Sequence, residues 1–117
     1  MKIYVVHSSA FDYTNKLYAP LKDSPLAKVH ELIFPHDGTT AVTNSKELIG
    51  SVDLVLAEVS FPSTGMGIEL GWAEAQGTRI LCIHKSDVKP SGSIKTVCKQ
   101  IVSYDENDLV ARVSESL

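Results

Sequence analysis

One segment of the chain combines residue types that could do chemistry. The run Pro62–Gly71 reads PSTGMGIELG. Its glycines at alternate positions, Gly65 and Gly67, would let the backbone approach a ligand without interference from a Cβ. Free N–H groups and the positive end of the dipole at a helix start favour an anion, and the hydroxyl of Ser63 adds a donor. The segment favours a phosphate or a sugar hydroxyl, while a tight turn with close packing explains the same spacing equally well.

Glu69 is the group in this segment that could react. A carboxylate beside a dry, glycine-lined pocket could attack an anomeric carbon, as retaining sugar transfer requires. We expect Glu69 to lie on a different face of its helix from Ile68, Trp72 and Ala75, which have the spacing of a core-facing stripe. An acid near a helix start is also explained by the helix dipole, a contact worth ~0.3–1 kcal/mol. On the residues alone the dipole is the commoner explanation, and both stay open.

Strands and helices alternate along the chain, which requires right-handed crossovers between parallel strands. The sequence therefore predicts an α/β fold, a flavodoxin-like three-layer sandwich with a five-stranded parallel sheet in the order 2-1-3-4-5. Ligands of such sheets bind beyond the carboxyl ends of the strands, here in the loops that begin at His7 and Ser60. The predicted strands cover residues 3–6, 29–34, 53–59, 79–84 and 99–104, and the helices begin at Asp12 (with an interruption near Pro20), at Ser45 after a cap by Thr43 or Asn44, at Met66 and at Asp105.

Composition narrows the class of protein. The length of 117 residues predicts a single domain, 1–117, and a net charge of −3 argues against a nucleic-acid partner, which would need a basic face. The absence of a long apolar run or a cleavable signal predicts a cytoplasmic protein without a membrane partner. Cys82 and Cys98 have no metal-binding spacing, which favours two reduced thiols. We expect no metal, since the four histidines and the nearby acids show no spacing such as HxxxH or HExxH, and we expect no other cofactor.

The segment Asp53–Lys85 resembles a known family. It reads DLVLAEVSFPSTGMGIELGWAEAQGTRILCIHK, which is similar to the core signature of the nucleoside 2-deoxyribosyltransferase family and its branch of 2'-deoxynucleoside 5'-monophosphate N-glycosidases. That signature is a strand ending in AEV, then PSxGxGxELG, a helix, and a strand reading ILCL or similar. The resemblance covers about a quarter of the chain. It implies cleavage or transfer of the base of a nucleoside or nucleoside 5'-monophosphate.

The resemblance also implies roles for individual residues. Glu69 would be the nucleophile that attacks C1'. Ser63 and Gly65 match positions that hold the 5'-phosphate in the monophosphate branch, with Gly67 in the same loop. Tyr4 would approach the sugar or the base, and Ser8 matches the serine just beyond the first strand.

Assembly is part of what the resemblance implies. In the monophosphate branch a serine from the neighbouring subunit reaches the phosphate, and Ser93 is the nearest match here. We therefore expect a homodimer or a larger symmetric oligomer.

The sequence departs from the family pattern in two places. His7 stands where the family has a glycine. The monophosphate branch continues with an arginine and glycines, and here Ser9, Ala10 and Phe11 follow instead. Ser45 stands where the family places an aspartate that protonates or positions the base. His7, His36 or Asp37 would take over that role, or the base-handling chemistry is altered or lost.

Other functions and residues stay open. A catalytically inactive nucleotide-binding or sensor domain is the main alternative, and a response-regulator-like domain is disfavoured because no phosphoacceptor aspartate ends the third strand. For Glu58, orientation of the loop and ligand binding stay open, and structural hydrogen bonding is the favoured interpretation. Trp72 is typical of packing, in the core or at a dimer interface, and Tyr13 and Tyr18 are candidates to stack on a base.

Overall fold

The computed structural model describes residues 1–38 and 44–117. Within these residues strands and helices alternate as predicted. A π-helical turn at Thr14–Tyr18 leads directly into α1, and a 3₁₀ turn lies at Gly92–Thr96. The remaining elements are β1 (Lys2–His7), α1 (Ala19–Lys22), α2 (Leu26–Val29), β2 (Glu31–Ile33), α3 (Ser45–Ser51), β3 (Leu54–Glu58), α4 (Thr64–Ala75), β4 (Arg79–Lys85), β5 (Ile101–Tyr104) and α5 (Leu109–Ser116).

The five strands form one parallel sheet in the order β2-β1-β3-β4-β5, which confirms the predicted topology. Tyr4 of β1 lies opposite Ile33 on one side and Val55 on the other. His7 lies opposite Glu58, so β1 and β3 end at the same level. The loops after these two central strands therefore start side by side at the carboxyl edge.

Alternate residues of each strand face opposite sides of the sheet, and each side has its own apolar core. Among the buried residues, one core joins Val5 and Leu56 to Leu17 on the side of α1 and α5. The other joins Tyr4 and Val55 to residues of α3 and α4. Its further members include Ile49, Met66, Leu70, Ala73 and the two buried, unbridged cysteines Cys82 and Cys98. This is the predicted three-layer sandwich.

The inward face of α4 was predicted wrongly. Met66, Leu70 and Ala73 are buried, whereas Ile68 is 49% exposed and Trp72 is half-buried. Both sets of residues have helical spacing, so the apolar pattern alone could not separate them. The helix begins at Thr64, two residues earlier than predicted, and Met66 turns toward the sheet beneath the preceding loop.

The second strand is shorter than predicted. Val29 ends α2 and is 70% exposed, and β2 covers only Glu31–Ile33. Pro25 starts that helical turn because its fixed φ suits a first helical position, and His30 then returns the chain to an extended conformation. The fifth strand and last helix likewise begin later than predicted.

Local capping follows the sequence. The Asp12 carboxylate accepts from the backbone N–H of Asn15, and Asn44 accepts from the N–H of Glu47 as the cap of α3; Thr43 lies outside the described residues. The interruption near Pro20 is the π-helical turn, in which the Ala19 N–H donates to the Thr14 carbonyl. None of the helices in the described ranges is long and apolar enough to cross a membrane.

Candidate active site

Glu69 meets Tyr4 across the boundary between α4 and β1. The Tyr4 hydroxyl donates to Oε2 of Glu69 at 3.2 Å. Burial raises the pKa of the Glu69 carboxyl, while the hydrogen bond from Tyr4 and the electrostatic interaction with His36 lower that pKa. Burial and the adjacent carboxylate raise the pKa of Tyr4, so its phenol stays a proton donor. Tyr4 thus holds the half-buried carboxylate of Glu69 through a hydrogen bond to one of its two oxygens.

The helix dipole does not account for this arrangement. α4 begins at Thr64 and has no acid in its first turn, so Glu69 lies beyond the region in which the dipole acts strongly. Its partner is a side chain 65 residues away in the sequence. The carboxylate is placed by tertiary contacts with the sheet.

The start of α4 is built by the glycine-containing loop. Ser63 is the N-cap, and its hydroxyl accepts from the backbone N–H of Met66 at 3.3 Å. Apart from each glycine's chain neighbours and the adjoining backbone of α4, no heavy atom of the described residues lies within 4 Å of a Cβ placed on Gly65 or Gly67. Close packing among the described residues therefore does not explain the glycines, and the space beside them is open to another molecule.

A cleft of about 380 Å³ opens beside this loop. It brings Ser63 and Gly67 together with Ser93, which the resemblance assigned to a neighbouring subunit. Here Ser93 follows β4 and lines the cleft of its own chain. The remaining lining residues are Val59, Phe61, Pro62, Thr64, Met66, Ser91 and Ile94.

His7 belongs to a buried hydrogen-bonded chain. Its Nδ1 lies 2.8 Å from the Ser8 carbonyl, which can only accept, so Nδ1 carries the proton. Nε2 therefore accepts from the Tyr18 hydroxyl at 2.6 Å, and that hydroxyl accepts from the backbone N–H of His36. Burial lowers the pKa of His7. His7 is consequently neutral, with both ring nitrogens engaged.

Ser8 supports the same turn. It is buried, and its hydroxyl accepts from the backbone N–H of Ala10 at 3.0 Å. The structure thus uses Ser8 to shape the turn after β1.

The other candidates for handling a base differ in accessibility. His36 is exposed, and its ring meets that of His7 at a centroid distance of 5.4 Å. Asp37 is 9% exposed at its side chain and forms an ion pair with Lys22 at 3.1 Å. Ser45 is the first residue of α3. Tyr13 stacks on His7 at 4.2 Å, which adds an aromatic wall beside His36.

Two aromatic residues at this edge escaped the sequence analysis. Phe11 and Phe61 stack at 5.3 Å and join the loops that follow β1 and β3. Phe61 lines the 380 Å³ cleft. The available signal was an aromatic residue in each of the two loops expected at the switch point of the sheet.

A second and larger cleft, of about 580 Å³, lies beyond β4 and β5. None of the predicted site residues lines this larger cleft. The larger of the two clefts is therefore not the one at which the sequence predicts the chemistry. We favour the start of α4, because Ser63, Gly67 and Ser93 line the smaller cleft there and Glu69 follows on the same helix. Glu69 and Tyr4 themselves are not among the residues that line either cleft. The larger cleft is lined by Phe11, Asp12, Lys16, Lys85, Ser86, Asp87, Tyr104, Asp105 and Glu106.

Comparison with solved structures defines the fold. A CMP N-glycosidase of Clostridium botulinum, BcmB, matches 97% of this chain and 99% of its own, with a TM-score of 0.69 and 20% identity. A conserved protein from Enterococcus faecalis matches 100% of this chain and 99% of its own, with a TM-score of 0.72 and 17% identity. The chain therefore has the α/β fold of an N-glycosidase.

Sequence comparison identifies a protein that is similar to part of the chain. No family model matches the chain. A 5-hydroxymethyl-dUMP N-hydrolase of Branchiostoma floridae is 40% identical over 60 residues, which are 48% of this chain and 57% of that protein. The match thus spans little more than half the length of this relative. The resemblance of the chain to the nucleoside 2-deoxyribosyltransferase-like family is confirmed.

Proposed function

We propose that this protein cleaves the N-glycosidic bond of a nucleoside 5'-monophosphate, with Glu69 as the nucleophile. The observation that carries the proposal is the contact of Glu69 with Tyr4, which joins a half-buried carboxylate of α4, the helix that follows the glycine-containing loop, to the central strand β1. The names of two similar proteins, a 5-hydroxymethyl-dUMP N-hydrolase and a CMP N-glycosidase, support a monophosphate as the substrate class.

The reaction proceeds in two displacements. A carboxylate oxygen of Glu69 forms a bond to C1' as the bond from C1' to the base breaks, and the base leaves with the electron pair and takes up a proton. Water then attacks C1' of the glycosyl ester and gives up a proton, which releases the sugar phosphate and restores the carboxylate. Tyr4 holds Oε2 throughout, so Oε1 is the oxygen that attacks.

His36 is the best placed of the candidate proton donors to the leaving base. His7 is neutral with both nitrogens engaged, and Asp37 is paired with Lys22. His36 is exposed, and its charge acts on Glu69. A histidine here would replace the family aspartate, at whose position Ser45 stands.

The 5'-phosphate would bind at the start of α4. Ser63 and Ser93 both line the 380 Å³ cleft and would supply hydroxyls to the phosphate. Thr64 and Gly65 supply backbone N–H groups of the first helical turn, which favour an anion.

A nucleotide sensor is the second candidate function. The observation that favours it is Ser45, which cannot protonate a base. A sensor would keep the cleft and bind monophosphates without turnover.

The test of the enzyme is Glu69→Gln, assayed by base release from a panel of nucleosides and monophosphates. Because the amide cannot attack C1', we expect base release to fall roughly 10³-fold or more while ligand affinity holds. A slowly hydrolysed 2-fluoro sugar analogue should leave a mass adduct on Glu69 of the wild type. Glu74→Gln, which removes an exposed carboxylate from the same helix, is the matched control and should keep full activity.

Stability separates this role from a structural one. Because burial raises the pKa of Glu69 in the folded state, the stability contributed by its protonated form is lost as pH rises through that pKa. Glu69→Gln should therefore be as stable as the wild type, or more so, at neutral pH. A lower melting temperature with intact base release would refute the nucleophile. A wild type that binds monophosphates without releasing base would support the sensor.

A further inference from the structure

Glu58, at the carboxyl end of β3, is a fully buried carboxylate for which the proposed reaction has no use. It is 1% exposed. Oε1 accepts from the backbone N–H of Ser60 at 2.6 Å, and Oε2 accepts from the Ser60 hydroxyl at 3.0 Å and from the Tyr104 hydroxyl. The Ser60 oxygen in turn accepts from the backbone N–H of Lys85 at 2.8 Å.

We call this set the Glu58 clamp: Glu58, Ser60, Tyr104 and the backbone N–H of Lys85. Its members stand at the ends of β3, β4 and β5 and at the second residue of the loop that leads to α4. The clamp therefore ties the start of that loop to three neighbouring strands.

An ionised carboxylate fits the clamp best. Its two oxygens accept from all three donors at once, whereas an acid or an amide would have to donate to one of the two hydroxyl oxygens. Among the described residues no cation is paired with Glu58. A buried charge without a counter-ion is a poor source of stability compared with an apolar side chain of similar size. Stability alone gives little reason for Glu58.

Position along the chain supplies a better reason. Ser60 is followed by Phe61, which stacks on Phe11 and lines the 380 Å³ cleft, and then by Ser63, which caps α4. Fixing both the N–H and the hydroxyl of Ser60 sets the direction in which this short segment leaves the sheet.

We propose that Glu58 is a positioning residue, which holds the segment from Ser60 to Ser63 in the conformation that binds the 5'-phosphate. The inference rests on the proposed function and adds to it a residue that touches neither the substrate nor Glu69. Because the clamp acts through the loop, its loss affects the phosphate end of a ligand more than the base end.

The test is Glu58→Gln, with binding of a monophosphate and of the matching nucleoside measured by calorimetry. We expect monophosphate affinity to fall roughly tenfold, the size of one lost charged hydrogen bond, while nucleoside affinity changes by less than about threefold. With an active wild type, KM for the monophosphate should rise more than kcat falls. Tyr104→Phe keeps the carboxylate and removes one donor, so it should give a smaller loss of the same kind.

The control for a purely structural role is Ile3→Val. It removes one methylene from the buried core of β1 without touching the clamp. It should lower the melting temperature and leave the preference for the monophosphate unchanged. If Glu58→Gln leaves both affinities unchanged or weakens both ligands equally, the positioning role is wrong.

Amide resonances separate failure of this inference from failure of the proposed function. If the wild type neither releases base nor binds monophosphates, the proposed function fails on its own. The clamp is then judged by the ¹H–¹⁵N spectrum of the free protein. Glu58→Gln should move the Ser60 amide proton upfield and shift the amides of Gly65 and Gly67, whereas Ile3→Val should not. Unmoved resonances of the loop would overturn the clamp.

Discussion

Tyr4→Phe removes one oxygen atom from the candidate active site and leaves the rest of the residue in place. The ring is 2% exposed and packs in the core, and phenylalanine fills the same space. The variant therefore isolates the bond from Tyr4 to Glu69.

The geometry of that bond sets the size of the effect. At 3.2 Å it is longer than the usual O–H···O distance of about 2.7–2.8 Å. A hydrogen bond to a charged group contributes ~1.5–3 kcal/mol, and a long one belongs at the lower end. A loss of ~1.5 kcal/mol corresponds to about a tenfold fall in kcat/KM at neutral pH.

The direction of the pH effect is also defined. The bond from Tyr4 lowers the pKa of Glu69, so its removal raises that pKa further. Because the nucleophile must be ionised, the acid limb of the kcat/KM profile should move to higher pH in Tyr4→Phe. The assay is base release from a monophosphate between about pH 4 and about pH 9.

Two results would refute this reasoning. An acid limb that stays in place, or moves to lower pH, would show that Tyr4 does not act on the reacting carboxylate. The Tyr4→Phe change, made in a Glu69→Gln background, should have little further effect on residual activity. A full tenfold further loss there would show that Tyr4 acts independently of Glu69.

Three further predictions concern binding, backbone conformation and assembly. Ser63→Ala should weaken the binding of monophosphates but not of nucleosides, and the difference between the two effects should narrow as the salt concentration rises. Equal weakening of both ligands would show that the phosphate does not bind in this cleft. Gly77→Ala should destabilise the fold by ~1–2 kcal/mol in chemical unfolding because φ is +72° there, whereas Gly71→Ala, in open space on α4, should be neutral or stabilising. Light scattering at tens of micromolar should show a dimer or larger oligomer; a monomer would contradict the assembly implied by the resemblance.

Much of the fold could be predicted because it depends on repeated patterns. Short β-branched runs alternating with amphipathic segments allow few topologies, and the sheet order followed from them. The inward face of α4 could not be predicted, because Ile68 and Met66 each belong to an apolar set with helical spacing. The difference depends on where the preceding loop enters the helix, which is a tertiary property.

The candidate site divides in the same way. Glu69 and Ser63 could be proposed from the sequence because motif and context both lie within one segment. The hydrogen bonds of His7 could not be predicted, since they depend on Tyr18 and on the backbone of His36, both distant in sequence. The hydrogen bond from Tyr104 to Glu58 could not be predicted for the same reason, because Tyr104 comes 46 residues later.

The central place of β1 in the sheet has a consequence for the order of folding. β1 pairs on one side with β2 and on the other with β3. The second edge of β1 is covered only when β3 has been made, because Ile3 pairs with Leu54, about fifty residues later. The strand that carries Tyr4 is thus synthesised about fifty residues before its second edge is covered. Until β3 arrives, an apolar strand stands with an open edge, a state exposed to wrong pairing and to chaperones. Formation of the contact from Tyr4 to Glu69 would therefore report that β1 and β3 have docked, so the proposed active site would be completed only after this edge is covered.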